Sequence, residues 1–214
     1  MKNKDMVIIV GAGPGVSGAV ATAFAKNGYP IMLIARNEKN LEGIASPLRD
    51  MGVSVTVRSG DASVPGDIAR IISQVTEPIS ALVYNASGIG GPLLKASDEE
   101  IRSASEVNLN SLVSSTAAAL PGLKAADGVV LVTGGGFSLY PSSEFGILSV
   151  GKAMARSAAL LLRQELEPEG IRVHTVTIAG VVDPATAFSP TKISDVFMRL
   201  FEDVDGPAEV VFEG

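Results

Sequence analysis

From Met6 to Phe24 the chain reads MVIIVGAGPGVSGAVATAF: five apolar residues, a glycine loop, then an alanine-rich stretch. A strand that runs into glycines and then directly into a helix leaves few folds open. Gly11, Gly13, Gly15 and Gly18 permit a tight turn and a close approach of backbone to a phosphate, while free amides at the helix start attract negative charge. The pattern points to a dinucleotide. Its spacing has two readings: Gly13, Gly15 and Gly18 fit G-x-G-x-x-G, whereas Gly11 and Gly15 fit a loop that begins at the end of the strand. Position relative to the strand favours the second. The loop has no Lys-Ser or Lys-Thr pair, so it is not a P-loop. A flavin-type loop would need a glycine at Val16 and an acid at the end of the second strand.

The alternation begun there continues along the chain. Strands are predicted at Met6 to Val10, Pro30 to Ala35, Ser54 to Arg58, Ser80 to Tyr84, Gly128 to Thr133, Arg172 to Ile178 and Ala208 to Phe212. Helices are predicted at Ser17 to Lys26, Glu38 to Met51, Pro65 to Gln74, Asp98 to Leu120, Ser143 to Glu167 and Thr191 to Phe201. Nearly continuous apolar strands joined by amphipathic helices indicate an α/β fold with a parallel sheet covered on both faces. With 46% hydrophobic and 19% charged residues and no linker, 1–214 reads as one domain. The loops Ser87 to Ser97 and Asp183 to Pro190 follow strand ends, where ligands of open α/β sheets bind.

The second strand ends in Arg36, where the adenosine ribose of a dinucleotide would lie. An acid there would bind a free 2′-hydroxyl; arginine neutralises a 2′-phosphate, so NADP(H) is favoured over NAD(H). A solvated strand-end charge is the plainer alternative. The net charge of −6 disfavours nucleic acid or an anionic membrane as partner, and with no cysteine and one histidine, thiolate chemistry and histidine metal clusters are excluded; no metal is expected. No apolar run reaches membrane-spanning length, so a cytoplasmic protein is expected.

Five short motifs in order add to this: the glycine loop, GDAS at Gly60 to Ser63, YNASG at Tyr84 to Gly88, EVNLNS at Glu106 to Ser111, and a helix carrying Lys152. Together they resemble the short-chain dehydrogenase/reductase family over almost the whole chain. The resemblance implies a Rossmann-like doubly wound, seven-stranded parallel sheet of order 3-2-1-4-5-6-7. It implies contacts from Gly11, Pro14, Gly15 and Val16 to the cofactor's phosphates or nearby ribose, with Ser17 where the family often has glycine. Asp61 and Ala62 would flank adenine. Asn85 and Ala86 match the second asparagine and the alanine of the family's N-N-A-G motif, with Tyr84 for its first asparagine and Ser87 for its glycine. Asn108 matches the asparagine that anchors a proton-relay water, and Lys152 the lysine that binds the nicotinamide ribose. In TIAGVVDP, Ala179 replaces the proline of the family's P-G segment, Gly180 is kept, Pro184 lies near the usual threonine, and the Val182 backbone would hold the carboxamide.

The family's chemistry uses tyrosine four residues before that lysine, on the same helix face, as the proton donor. Here the position is Leu148, and the helper serine falls at or near Gly135. Tyr140 and Ser138 lie between the fifth strand and the Lys152 helix, and Tyr140 is the candidate replacement donor. Asn108, Lys152 and Tyr140 are thus the catalytic candidates. Each has a plainer reading: Tyr140 as a pocket wall, Asn108 bridging backbone at a helix irregularity, Lys152 snorkelling to solvent. Ser138, Ser142 and Ser143 suit helix capping, His174 in RVHTVTI a structural role, and Asp98 to Glu100 a helix start.

Two functions follow. One is an NADP(H)-dependent oxidoreductase acting on a small carbonyl, alcohol or activated alkene with an atypical proton donor. The other is a noncatalytic NADP(H)-binding regulator or scaffold, which Leu148 and Gly135 favour. The short Asp183 to Pro190 connection predicts an open pocket. By resemblance the two long helices would form a homodimer or homotetramer interface, with Ala153 and Ala155 permitting close packing.

Overall fold

The computed structural model describes residues 4–88 and 90–214, so Ile89 of the Ser87 to Ser97 loop lies outside the described residues. Seven parallel strands form one sheet: β1 (Met6–Val10), β2 (Ile31–Ala35), β3 (Val55–Ser59), β4 (Ile79–Tyr84), β5 (Val129–Gly135), β6 (Arg172–Ile178) and β7 (Glu209–Phe212), in the order β3-β2-β1-β4-β5-β6-β7. The helices are α1 (Val16–Lys26), α2 (Glu38–Asp50), α3 (Asp67–Ile72), α4 (Asp98–Ser105), α5 (Ser111–Ala125), α6 (Gly146–Leu166) and α7 (Pro190–Glu202). This is the doubly wound Rossmann-like sheet that the motifs implied.

Strand periodicity divides the core. In β1, Val7 and Ile9 join the cluster under α1, α2 and α7, while Ile8 and Val10 face α3, α5 and α6. Residues of β5 split likewise, with Val129 and Leu131 on one side and Val130 and Val132 on the other. Each fully buried Val, Leu, Ile or Phe side chain contributes about 1.5–3 kcal/mol, which explains why these strands carry no polar alternation. The first layer closes at one end with an edge-on aromatic cluster: the Phe24 ring lies 5.6 Å from Tyr29 and 4.9 Å from Phe201.

Glycines account for the main shift in a strand end. The GGG after Thr133 does not stop β5 there; Gly134 and Gly135 continue the ladder beside Thr177 and Ile178 of β6. A Cβ on Gly134 would stand 2.6 Å from the Thr177 hydroxyl, so the missing side chain is what lets the two strands approach. At α3 a glycine shortens the predicted Pro65 to Gln74 helix. Gly66, at φ +73°, turns the chain into it just before Asp67.

The predicted helix Asp98 to Leu120 is a composite. α4 is held by a capping box, in which the Ser97 hydroxyl accepts from the Glu100 amide and the Glu100 carboxylate accepts from Ser97. It passes through a wide π turn at Glu106–Asn110 into α5, which runs through Pro121 to Ala125 because Leu123 and Gly122 pack onto Ile79 and Gly128. Packing here overrides the breaker residues. The π turn has its own anchor: the buried Tyr84 hydroxyl donates to the Val107 carbonyl at 2.5 Å, and burial pushes that phenol's pKa well above its ordinary value. α6 begins at Gly146, not Ser143, and has no side-chain cap at Phe145. Ser142 and Ser143 therefore do not cap it; instead Ser149 reaches back from inside the helix, accepting from the Ser142 amide at 3.1 Å and donating to the Phe145 carbonyl at 2.8 Å.

In β6, between β5 and β7, His174 is fully buried. Its Nδ1 donates to the Pro207 carbonyl at 2.7 Å, and Nε2 has no partner among the described residues. Burial, then the nearby Arg163 and Arg172, lower its pKa below the ordinary value against the opposing Pro207 bond.

Two stability predictions follow from these contacts. Tyr84→Phe orphans a buried carbonyl in the π turn and should cost roughly 1–3 kcal/mol in equilibrium urea unfolding. His174 binds its proton more readily unfolded than folded, so its contribution is complete above the unfolded pKa of about 6.5 and is lost as pH falls from there through the depressed folded pKa. The urea midpoint should drop across that window, and His174→Asn, which keeps a donor for Pro207, should flatten this part of the pH profile.

Candidate active site

The strand order reverses between β1 and β4, and the crevice there is set by the backbone itself. Gly11 has φ +75°, and a Cβ on it would stand 2.4 Å from the Ala86 amide nitrogen. Two side chains pin the loop. Ser17 accepts from the Gly13 amide at 2.9 Å and its hydroxyl lies within reach of the Gly11 and Gly13 carbonyls; Asn85 donates to the Gly11 carbonyl at 3.0 Å. Ser17 therefore supplies with its hydroxyl a rigidity that a glycine there could not. Gly13 and Gly15 face open space, α1 has no acidic residue in its first turn, and no side chain caps it. A glycine cradle in front of uncapped helix amides fits a pyrophosphate.

One cavity of about 540 Å³ extends from this crevice over β2 and β3. Gly11, Arg36, Asp61, Ala62, Asn85 and Ala86 all line it. Arg36 is exposed at its mouth and makes no ion pair among the described residues, while the Asp61 carboxylate is turned onto Ser63, accepting from its amide at 2.9 Å and its hydroxyl at 2.8 Å. A second cavity of about 580 Å³ opens over β5 and β6 and shares Asn85, Ser87 and Gly88 with the first. Val16, Gly135, Tyr140, Leu148, Lys152 and Val182 meet there, with Phe137, Ile178 and Val181 completing a mostly apolar wall. Candidates separated by more than a hundred residues thus meet in two joined chambers. Pro14 lies outside both, in a groove with residues of α2 and the start of α7, and Gly15 lines neither chamber.

Lys152 is the lone cation in the second chamber's lining. Its ammonium donates to the Thr133 carbonyl at 3.2 Å, and burial pushes its pKa down to about 8. Its stem crosses Gly135, where a Cβ would stand 3.3 Å from both Cδ and Cε. Leu148, one helical turn earlier, presents an apolar side chain to the same space. Tyr140 is 73% exposed at the rim. Asn108 does not line either chamber. It sits in the π turn, 2% exposed, with its amide donating to the Ala104 carbonyl at 2.8 Å and its Oδ1 unpartnered among the described residues. Directly opposite is Gly151, whose Cβ would stand 2.7 Å from the Asn108 amide nitrogen.

The segment after β6 is short and self-bonded. Asp183 accepts from the amides of Ala185, at 2.7 Å through its carboxylate, and Thr186, at 3.1 Å through its carbonyl, and its own amide donates to Phe188 at 3.3 Å. Gly180 has no room for a side chain, since a Cβ would stand 2.3 Å from the Phe188 ring. Val181 is left 83% exposed, so the chamber is open on this side. Among the described residues no group of three or more His, Cys, Asp or Glu side chains gathers.

Ser17, Tyr84 and Gly151 were not singled out as site residues by sequence reasoning. Ser17 and Tyr84 stood out only as departures from the family pattern, and Gly151 sat unremarked beside Lys152. Their signal was spacing relative to Gly13, Asn85 and Asn108, which becomes readable only once partners are known.

Known proteins share this fold. The family described as short chain dehydrogenase matches residues 5–192. A 1,2-dihydroxy-1,2-dihydronaphthalene dehydrogenase from Ralstonia sp is 30% identical over 220 residues, covering 92% of this chain and 79% of that one. An alcohol dehydrogenase from the archaeon Thermococcus sibiricus, solved with 5-hydroxy-NADP, superposes with a TM-score of 0.82 at 26% identity, covering 96% and 94% of the two chains. An NADPH-bound short chain oxidoreductase from Pseudomonas aeruginosa PAO1, described as containing an atypical catalytic center, shares the fold with a TM-score of 0.86 at 17% identity, covering 97% and 94%. With a family match over most of its length, a relative at this identity and the same sheet order, the chain belongs to the short-chain dehydrogenase/reductase family.

Proposed function

We propose that the protein is an NADP(H)-dependent oxidoreductase that interconverts a small, uncharged carbonyl compound or activated alkene with its reduced form, using an atypical proton donor. The observation that carries this reading is the joining of two unlike chambers at Asn85. One ends at Arg36 and Asp61; the other is apolar and holds Lys152. Arg36 would pair with a 2′-phosphate, Asp61 and Ala62 would border adenine, and the glycine loop with Val16 would face the pyrophosphate. Lys152, Asn85, Ala86 and the Val182 backbone would hold the nicotinamide half, placing Pro14 and Gly15 at the phosphate side of the loop. The cofactor supplies a hydride when bound. What this chain contributes is position, exclusion of water by Phe137, Leu148 and Ile178, and a proton from one of two titratable groups in the lining, Tyr140 or Lys152. Asn108 contributes from behind, by holding the π turn against α6.

The neutral, apolar wall supports a substrate without phosphate or carboxylate. An apolar ring or chain suits it, and the named activities of the Ralstonia and Thermococcus proteins, on a dihydrodiol and as an alcohol dehydrogenase, are in keeping with that class. The cytoplasm, where NADPH is replenished, is the compartment this reading implies; among the described residues no helix is long and apolar enough to cross a membrane. The second reading, a noncatalytic NADP(H) sensor, draws on Leu148 and Gly135 standing where the tyrosine and serine are expected. Either way a homodimer or homotetramer is proposed through α5 and α6, where Val113, Val150 and Leu161 are 40%, 44% and 53% exposed.

Fluorescence titration should give saturable NADPH binding tighter than NADH. Arg36→Ala should weaken NADPH by about 10- to 100-fold, the value of a charge-assisted phosphate contact, while leaving NADH within about threefold. Turnover of uncharged ketones and diketones selects the enzyme; tight NADPH binding without turnover selects the sensor. Sedimentation velocity should show a dimer or larger assembly, and Leu161→Glu with Val150→Glu should shift it toward monomer.

A further inference from the structure

Resting on the reading above, we infer that the Lys152 ammonium is itself the group that delivers the proton to the substrate oxygen, instead of serving only to hold the ribose. Three features of the second chamber support this, and they are linked. Leu148 leaves the helix face one turn before Lys152 without a hydroxyl, so that part of the lining offers no phenol to hydrogen-bond the ammonium or the substrate oxygen. Gly135 leaves the strand beneath without a side chain, and the lysine stem occupies that space, with Cδ and Cε 3.3 Å from where a Cβ would be. Thr133, in the lining, takes one of the three ammonium protons on its carbonyl at 3.2 Å, leaving two to be shared between ribose hydroxyls and a substrate oxygen.

Among the described residues, no charged group in the chamber lining offsets that ammonium. β5 presents Thr133, Gly134 and Gly135; the segment after β4 presents Asn85, Ser87 and Gly88; the segment after β6 presents Ile178 to Val182; and of the two titratable residues between β5 and α6, Tyr140 lines the rim while Glu144 is exposed outside the lining. On α6 itself the next cation one turn on, Arg156, is already paired bidentately with Glu209 of β7, at 2.7 Å through Nε and 2.5 Å through Nη2. An ammonium among apolar walls with no carboxylate holds its proton less firmly, and burial brings its pKa to about 8, within reach of neutral pH. Tyr140 stands at the solvated rim, 73% exposed.

The step balances for a ketone. The carbonyl π bond breaks as hydride from the reduced nicotinamide adds to carbon, and one N–H bond of Lys152 breaks as its proton joins the oxygen. The products are an alcohol, oxidised cofactor and a neutral amine, which takes a proton back from solvent through the open Val181 side. In the reverse direction the neutral amine accepts the alcohol proton.

The test uses the whole protein with NADPH and an uncharged diketone, camphorquinone. Lysines ¹³C-methylated at the ε-amine are titrated by NMR in the NADP⁺ complex, and the Lys152 signal is assigned by its loss in Lys152→Arg. A midpoint near 8 for Lys152, coinciding with a kcat/KM for reduction that falls as pH rises through the same value, supports the assignment. Lys152→Arg keeps a cation but cannot yield its proton near neutrality, so it should bind NADPH within about fivefold of the parent and turn over at least 100-fold more slowly, whereas Tyr140→Phe should leave the pH midpoint of kcat/KM in place. Turnover of Lys152→Arg at the parent rate, disappearance of that midpoint in Tyr140→Phe, or a Lys152 midpoint above 10 overturns it. NADPH binding by the parent with no camphorquinone turnover also overturns it and leaves the sensor reading. Failure to bind NADPH removes the proposed function itself.

Discussion

The backbone contact between Gly11 and Ala86 is the constraint on which the rest of the site depends. With 2.4 Å between a hypothetical Cβ and the Ala86 amide, the ends of β1 and β4 meet without any side chain between them. That contact puts the glycine loop and the start of the 85–88 segment on one side of the sheet, at the point where strand order reverses. It also brings Asn85 within 3.0 Å of the Gly11 carbonyl, which Ser17 approaches from α1. A loop that would lose much entropy on ordering is thereby fixed from both directions before any ligand arrives. Binding then spends less of its free energy on ordering the loop.

A second constraint runs through α6. Gly151 lets the π turn approach closely enough for Asn108 to sit against the helix, and Tyr84 ties that same turn to β4 through the Val107 carbonyl. Lys152 follows immediately and Arg156 one turn later, so one helix face carries a free ammonium toward the chamber and a paired guanidinium toward β7. The Arg156–Glu209 pair is extended by Thr177, whose hydroxyl donates to Glu209 at 2.6 Å, and the pairing holds the Glu209 carboxyl below its ordinary pKa. Helix position is thus set by polar contacts at two heights and by the apolar Ala158, Ala159, Leu162 and Leu166 further along. Without that double anchoring, a lysine one residue after a glycine would have no fixed place in the site.

How much of this was legible in the sequence depends on the range of the interaction. The seven strands were readable because each is a local apolar run, and all seven occur at or within one or two residues of where the pattern put them. The strand order was readable through motif order, not through periodicity. What stayed hidden was set by contacts distant in sequence. β5 extends through Gly134 and Gly135 because β6 offers them partners, and α5 continues through Pro121 because Leu123 and Gly122 are gripped by β4. In the site, Gly11 and Arg36 were named from their places at the ends of the first and second strands and Asn85 and Lys152 from the family resemblance, and the two chambers bring them into one arrangement. Asn108 was matched to the family's water-anchoring asparagine, with backbone bridging at a helix irregularity as the plainer reading; it sits in the π turn with its amide on the Ala104 carbonyl and lines neither chamber, which spacing cannot tell.

Leu148 and Gly135 are better understood together than as two separate losses. Removing a tyrosine alone would leave a polar serine against the lysine stem; removing a serine alone would leave a phenol beside the ammonium to stabilise or exchange its proton. With both absent, the lysine stem fills the space over Gly135, and burial lowers the ammonium's pKa to about 8. Desolvation of an ammonium by an unreactive helix face would be a plain cost to stability if the group had no use, because a methionine of similar length could fill the same space without it. Among the described residues, the Lys152 ammonium is held by one carbonyl, that of Thr133, facing a chamber wide enough for a small molecule. Under the inferred mechanism, this is the arrangement of a group kept ready to give up a proton.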